Sequence, residues 1–222
     1  MKKTMIIILV MATIVSCQST TKKNSTEKKV SLTAAGATFP MPFYNMVFKM
    51  YADKEATSVT YGGIGSGGGI RSLKDKVVDF GATDAFLTDE QAAELPAPVV
   101  HVPTCLGAVV IAFNLPGITE LKMKNEVLAS VFLGEIKKWN DPKILADNPG
   151  INLPGKDISV VYRSDGSGTT FIFSDYLSKI SKSWADKVGT GKSLNWPVGM
   201  GAKGNPGVAG IIKQTEGTIG YI

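Results

Sequence analysis

The chain has 222 residues, 44% of them hydrophobic and 19% charged. That balance supports a sizeable core and excludes disorder over most of the length. Its net charge of +5 does not point to nucleic acid: residues 1–30 hold six lysines against one glutamate, and from Ser31 onward 18 basic residues balance 18 acidic ones, whereas a nucleic-acid-binding domain carries a basic face of its own.

The amino terminus reads as an export signal. "MKK" is a charged n-region and "TMIIILVMATIV" an apolar h-region too short to span a membrane. "IVSC" then resembles the lipobox of bacterial lipoproteins, in which cleavage leaves the cysteine, here Cys17, as a lipid-modified first residue. Residues 1–16 are accordingly expected to be a lipoprotein signal peptide and residues 17–30 a flexible, polar tether. The mature protein is expected to be exported and lipid-anchored to the cell membrane, periplasmic or at the cell surface. Once Cys17 is acylated only Cys105 is left, so no internal disulfide is expected. The apolar surroundings "PTCLGAVVIAF" predict a buried, structural thiol there.

Past the tether, β-like runs alternate with helical patterns. "SLTAAG" (31–36) and "TSVTYG" (57–62) predict strands. Between them Phe43, Met46, Val47 and Met50 recur at helical spacing. "KVVDFGATD" (76–84) predicts a strand ending in a turn, and "TDEQAAEL" opens on a capping pattern, Thr88 three residues before Gln91. The apolar runs "APVVHVPTC" and "LGAVVIAFN" predict buried strands at a crossing between two lobes near Leu106, with His101 partly buried in the first run. In the second half, "NEVLASVFLG" predicts a helix stopped by Gly134, and "DPKILADNPG" one capped by Asp141 with Pro142 at its first position. A strand at "DISVVYR", helices at "SGTTFIFSDYLSKIS" and "GNPGVAGIIKQTEG", and a strand at "TIGYI" complete the series. Strands interleaved with helices define an α/β fold with mostly parallel sheets.

Three places share one design, a strand, a Gly-rich turn bearing Ser or Thr, then a helix: "AAGATFP" (34–40), "YGGIGSGGGI" (61–70) and "RSDGSGTTF" (163–171). Helix N-termini present unpaired amides and partial positive charge, glycine lets backbone approach a ligand, and hydroxyls add donors. Three such turns at the carboxyl ends of strands point to an anion site at the edge where open α/β sheets bind ligands. Arg163 can fork two N–H donors onto an oxyanion, with Asp165 holding its plane. A carboxylate at Asp84 repels an anion unless that anion brings a proton, as phosphate does and sulfate does not. "GIGSGG" formally matches a dinucleotide fingerprint with Asp84 about twenty residues on, although nicotinamide cofactors are scarce outside the cytoplasm. Ser66 and Ser167 sit in no G-x-S-x-G, and the single histidine, His101, lies in an apolar stretch, so a hydrolase has neither base nor metal cluster; no cofactor and no metal are expected.

"LTAAGATFPMPFY", "YGGIGSGGGI", "VDFGATDAFLTDE", "LGEIKKWND", "YRSDGSGTTFIFSDYL" and "GTIGY" follow in this order, and from about Leu32 to the last residue the chain resembles the phosphate-binding protein family of the bacterial ABC phosphate importer. That resemblance implies a two-lobed, periplasmic-binding-protein-like α/β fold with the ligand cleft between lobes. Lobe one would span 31–105 and lobe two 106–222. Because family members continue beyond "TIGYI", it also implies that the second lobe and its return segment are incomplete here. Carried over by motif, the phosphate-binding residues are Thr38, Phe39 (through its amide), Ser66, Asp84 as proton acceptor, Arg163, Ser167, Gly168 and Thr169, with Asp165 orienting the arginine. One departure is Gly67, where many relatives carry a second serine. The implied partners are inorganic phosphate and the importer's permease subunits, for a monomer that is not an enzyme. A sulfate or other oxyanion receptor, or an exported phosphate-ester hydrolase, are the alternatives. Trp139 in "LGEIKKWND" is read as core.

Overall fold

The computed structural model describes residues 30–55 and 57–222. The expected signal peptide and Cys17 lie outside the described residues, and Val30, assigned to the tether, is the first residue of a strand.

Parallel strands need crossovers, and helices supply them here. Strands β1 (Val30–Gly36), β2 (Thr57–Gly63) and β3 (Phe80–Ala82) form an all-parallel sheet in the order β2-β1-β3. Helix α1 (Met41–Lys54) joins the first two, α2 (Ser66–Lys74) joins the second to the third, and α3 (Asp89–Ala93) follows. The buried end of β1 is Ala34, Ala35 and Gly36, small enough to let α2 lie close against it. At α3 the capping box is complete: the Thr88 hydroxyl accepts from the Gln91 amide and the Gln91 side chain accepts from the Thr88 amide.

The second sheet has the order β4-β7-β5-β6, from β4 (Ile111–Phe113), β5 (Ser159–Arg163), β6 (Met200–Ala202) and β7 (Thr218–Tyr221). Only β4 runs antiparallel to its neighbour. Its helices are α4 (Asn125–Phe132), α5 (Pro142–Asp147), α6 (Gly168–Ile180), α7 (Lys182–Lys187) and α8 (Gly204–Gln214). Asp141 caps α5 as its position before Pro142 predicts, accepting from the Lys143 amide at 2.9 Å. The principal core lies here. The Tyr221 ring stacks on Phe173 at 4.5 Å and on Trp196 at 5.6 Å, and Phe132 meets Phe173 edge-on at 4.8 Å; such pairs add about 0.5–1.5 kcal/mol each beyond the area they bury. Trp139 is wholly buried and donates its indole N–H to the Gly217 carbonyl at 3.0 Å, so the core reading of that residue holds. Neither α7 nor β6 has a sequence signal of its own: one is a single capped turn and a half, the other three residues in a Gly-rich run.

Three expectations need correction. Residues 98–110 form no strand, and only 111–113 join a sheet, with Val110 exchanging backbone hydrogen bonds with Ile222 just ahead of it. Leu106 is 101% exposed and Val100 and Val102 are exposed with it. The irregular run therefore leaves Cys105 an exposed free thiol instead of a buried one, and His101 an exposed residue outside any strand, where its Nε2 accepts from the Leu87 amide. Helix α1 forms as its spacing predicts, with Tyr44 as its buried residue and Phe43, Met46 and Met50 facing outward.

Candidate functional site

All three Gly-rich turns lie at carboxyl ends of strands, and the chain folds so that they converge. After β1 the turn places Thr38 in the interior, where its Oγ1 accepts from the Asn205 amide at 3.1 Å. Phe39 follows, its ring laid over the backbone at Gly107, where a Cβ would come within 2.0 Å of it. After β2, Ser66 opens α2 completely buried, and its Oγ accepts from the Gly168 amide at 3.1 Å and the Asp84 amide at 3.3 Å. After β5, Ser167 caps α6, accepting from the Thr170 amide at 3.0 Å.

These three hydroxyls share a property that sequence alone does not give. Each has its lone pairs turned to backbone amides, and accepting leaves the O–H proton for another partner. The same convergence sets tight sterics. A Cβ on Gly168 would stand 2.6 Å from both the Ser66 Oγ and the Asp84 Cβ, so only glycine fits between the two walls.

Arg163 is the buried cation of the site, and Tyr221 helps hold its backbone by accepting from its amide at 3.2 Å. Its Nε and Nη2 donate to the two Asp165 oxygens at 2.7 and 2.6 Å, and its Nη1 donates to the Asn205 Oδ1 at 2.5 Å. Of the five guanidinium N–H donors three are thus engaged, and one on each terminal nitrogen is left for a ligand oxygen. Asp165 also accepts from the Gly204 amide at 3.0 Å. Burial works against its ionisation, but the Arg163 hydrogen bonds and that amide outweigh it and hold its carboxyl below the usual range.

Asp84 behaves oppositely. Burial pushes its carboxyl up, against the lesser opposing pull of the Thr169 hydrogen bond and the Arg163 and Lys192 charges. The Thr169 hydroxyl donates to its Oδ2 at 3.3 Å, so two expected ligand donors, the Gly168 amide and the Thr169 hydroxyl, are engaged across the site with Ser66 and Asp84. The walls also touch through backbone, Gly67 N–H to the Gly166 carbonyl at 2.8 Å.

Thr38 is thus linked to Arg163 through Asn205, and Ser66, Asp84, Gly168 and Thr169 are linked directly, with Ser167 next to Gly168 in the chain and Phe39 at the edge beside Gly107. Sequence reasoning missed Asn205, which ties Arg163 to Thr38, and Lys192, whose carbonyl accepts from the Ser167 amide at 2.9 Å. A lone lysine in "GTGKSLNW" and an Asn-Pro pair read as a helix start carry no mark of a site. A wider groove of about 780 Å³, lined by Leu115, Ile118, Ile151 and Lys156 among others, opens near the amino ends of β5 and β7. Its Lys156 is already paired with Glu216, so it offers no comparable set of donors. Among the described residues no cluster of three or more His, Cys, Asp or Glu could hold a metal, and no helix is long and apolar enough to cross a membrane.

Two α/β sheets, one all-parallel and one with a single antiparallel strand, meet at the carboxyl ends of their strands, and residues 20–222 match the family model described as the PBP superfamily domain. The chain belongs to that superfamily. It is 48% identical over 201 residues to the phosphate-binding protein PstS of Pasteurella multocida, which covers 89% of this chain and 57% of that protein. Against the phosphate-binding protein PstS of Haemophilus influenzae it is 47% identical over 194 residues, covering 86% of this chain and 58% of that protein. The chain thus spans just under three fifths of the length of these relatives. In fold it is similar to the high-affinity periplasmic phosphate-binding protein PfluDING bound with phosphate, with TM-score 0.68, 23% identity, and coverage of 87% of this chain and 56% of that one. A putative phosphate ABC transporter substrate-binding protein from Clostridium perfringens superposes with TM-score 0.59 at 17% identity over 86% of this chain and 70% of that one.

Proposed function

We propose that this chain binds inorganic phosphate between two lobes, 31–105 and 106–222, and hands it to the permease of an ABC importer, acting as a monomeric receptor and not as an enzyme. The observation that carries the reading is the set of buried hydroxyls at Thr38, Ser66 and Ser167, each held by backbone amides with its proton left over, beside an arginine with two N–H groups left over. Five donors converging from three directions suit a small tetrahedral oxyanion. The names of the relatives at 48% and 47% identity support phosphate in particular.

On entry of the anion, the Gly168 amide leaves Ser66 and the Thr169 hydroxyl leaves Asp84, both turning to ligand oxygens, while the Phe39 amide closes the third side. Asp84 is then free to accept the P–OH proton. Sulfate has no proton there and would set oxygen lone pairs against a carboxylate, which selects against it. Asp165 acts through Arg163, fixing the plane of the guanidinium. Cys17 is read as the lipid attachment that keeps the receptor near its permease.

Calorimetric titration of phosphate and sulfate into the chain from residue 18 onward tests the reading. Phosphate heat with no sulfate heat is the expected outcome. Silence with both ligands, in a sample that melts cooperatively, would remove phosphate as the ligand.

A further inference from the structure

Lys192 belongs to none of the motifs that define the cradle, yet it stands beside it. The segment around it lies along the Arg163–Thr169 turn: the Ser167 amide donates to its carbonyl, and a Cβ on Gly166 would come within 3.8 Å of the Ser193 Oγ. Its Nζ is shielded from solvent and has no hydrogen-bond partner among the described residues. An ammonium has three donors, and leaving all of them buried without an acceptor is costly, so the acceptor must come from outside these residues.

The charges of the site say what kind of acceptor. The charged group that acts on Lys192 is Asp84, two residues past β3, which also feels Arg163, the partner of Asp165. Arg163 is already answered by Asp165 through two hydrogen bonds. Ionised Asp84 would then make the cradle net negative as a dianion enters. Lys192 is the one cation here with no pairing contact, and Asp84 lies close enough for each to act on the other's ionisation. Burial draws the pKa of the Lys192 ammonium down, against the lesser opposing pull of the Asp84 charge.

We propose that Lys192 is a ligand-contacting, specificity-determining residue of the cradle, a second cation that donates to the bound oxyanion and offsets Asp84, so that the site takes the dianionic form of phosphate. The inference rests on the phosphate reading above and adds to it a preference between two ionic forms of one ligand. Lys192→Met keeps most of the unbranched length of the side chain and removes the charge.

The test is calorimetric titration of inorganic phosphate into wild type and Lys192→Met at about pH 8, where the dianion dominates, and about pH 5.5, where the monoanion does. The expected loss is about ten-fold or more at the higher pH and under about three-fold at the lower one, with Lys192→Arg restoring most of the affinity. A merely structural lysine would weaken both forms alike, and an equal loss at both pH values overturns the proposal, as does unchanged affinity. Should Lys192→Met fail to fold, the ¹³Cε resonance of Lys192 in wild type decides: a shift on adding phosphate supports contact, and none overturns it. Absence of phosphate binding in folded wild type overturns the phosphate reading itself and this inference with it, whereas binding that ignores Lys192 leaves that reading standing.

Discussion

The side chains of Arg163 and Asp165 meet with only 1% and 13% of their surface accessible, so their pairing is unlike the exposed ion pairs elsewhere on the molecule. Asp165→Asn leaves a buried guanidinium without its counter-charge, and should cost about 3 kcal/mol, the low end for breaking a buried pair because Asp165 keeps some solvent contact; chemical denaturation monitored by circular dichroism checks this. The same aspartate has a lowered pKa, so its contribution is present at neutral pH and is lost as pH falls below the ordinary carboxylate value and through the lowered one. Asp84 has the opposite sign. Its pKa is raised by burial, so its ionised form costs stability, and that cost shrinks as pH falls through the raised value and is gone below the ordinary carboxylate value. Protonation also turns Asp84 from an acceptor into a donor able to face a sulfate oxygen. Sulfate affinity should therefore rise as the pH is lowered, beginning above the range where an ordinary aspartate titrates. Asp84→Asn, a donor at every pH, should bind sulfate without that dependence. Titrations of sulfate at a series of pH values separate the two proteins.

Each wall of the cradle is built by a strand, a short turn and the first turn of a helix, and the spacing between walls is set by glycine. Gly168→Ala would place a methyl group against Ser66 and Asp84, so it should hold the walls apart and lower phosphate affinity by about a hundred-fold, around 3 kcal/mol. Calorimetry measures the loss, and a melting temperature close to wild type would locate the damage in the site. These turns were legible in the sequence because glycine, serine and threonine act locally there: the residue that permits the backbone turn or caps the helix is the one that does so in the fold. What stayed illegible is non-local. Asn205 meets Arg163 and Thr38 only through tertiary packing, and nothing in an Asn-Pro dipeptide distinguishes a helix start from a bridge. The 98–110 run misled because apolarity announces a wish for burial without fixing where pairing begins, and pairing with the β7 end reaches back only to Val110. The spacing of Phe43, Met46 and Met50 identified the helix, while the packed face is chosen by the sheet, which takes Tyr44.

Over the whole molecule, contacts between the two walls include atoms assigned to the ligand, Ser66 bonded to Gly168 and Asp84 to Thr169, beside the Gly67–Gly166 backbone contact and the Thr38–Asn205 bond. A ligand that replaces direct contacts between the walls with contacts through itself stabilises the assembled form by mass action, about 2.7 kcal/mol at a hundred times Kd. For a chain of this size that corresponds to a rise in melting temperature of about 5–10 °C. Differential scanning fluorimetry with phosphate should show it and sulfate at the same concentration should not; equal shifts would assign the effect to ionic strength. The corrected position of Cys105 has a practical consequence. Its thiol lies in solvent one residue from Thr104, which is hydrogen-bonded to Tyr44 of α1, and two from Gly107, over which the Phe39 ring is laid. With Cys17 replaced by serine, a fluorophore attached at Cys105 would have a single address on the chain, and its emission would turn occupancy of the cradle into an optical signal.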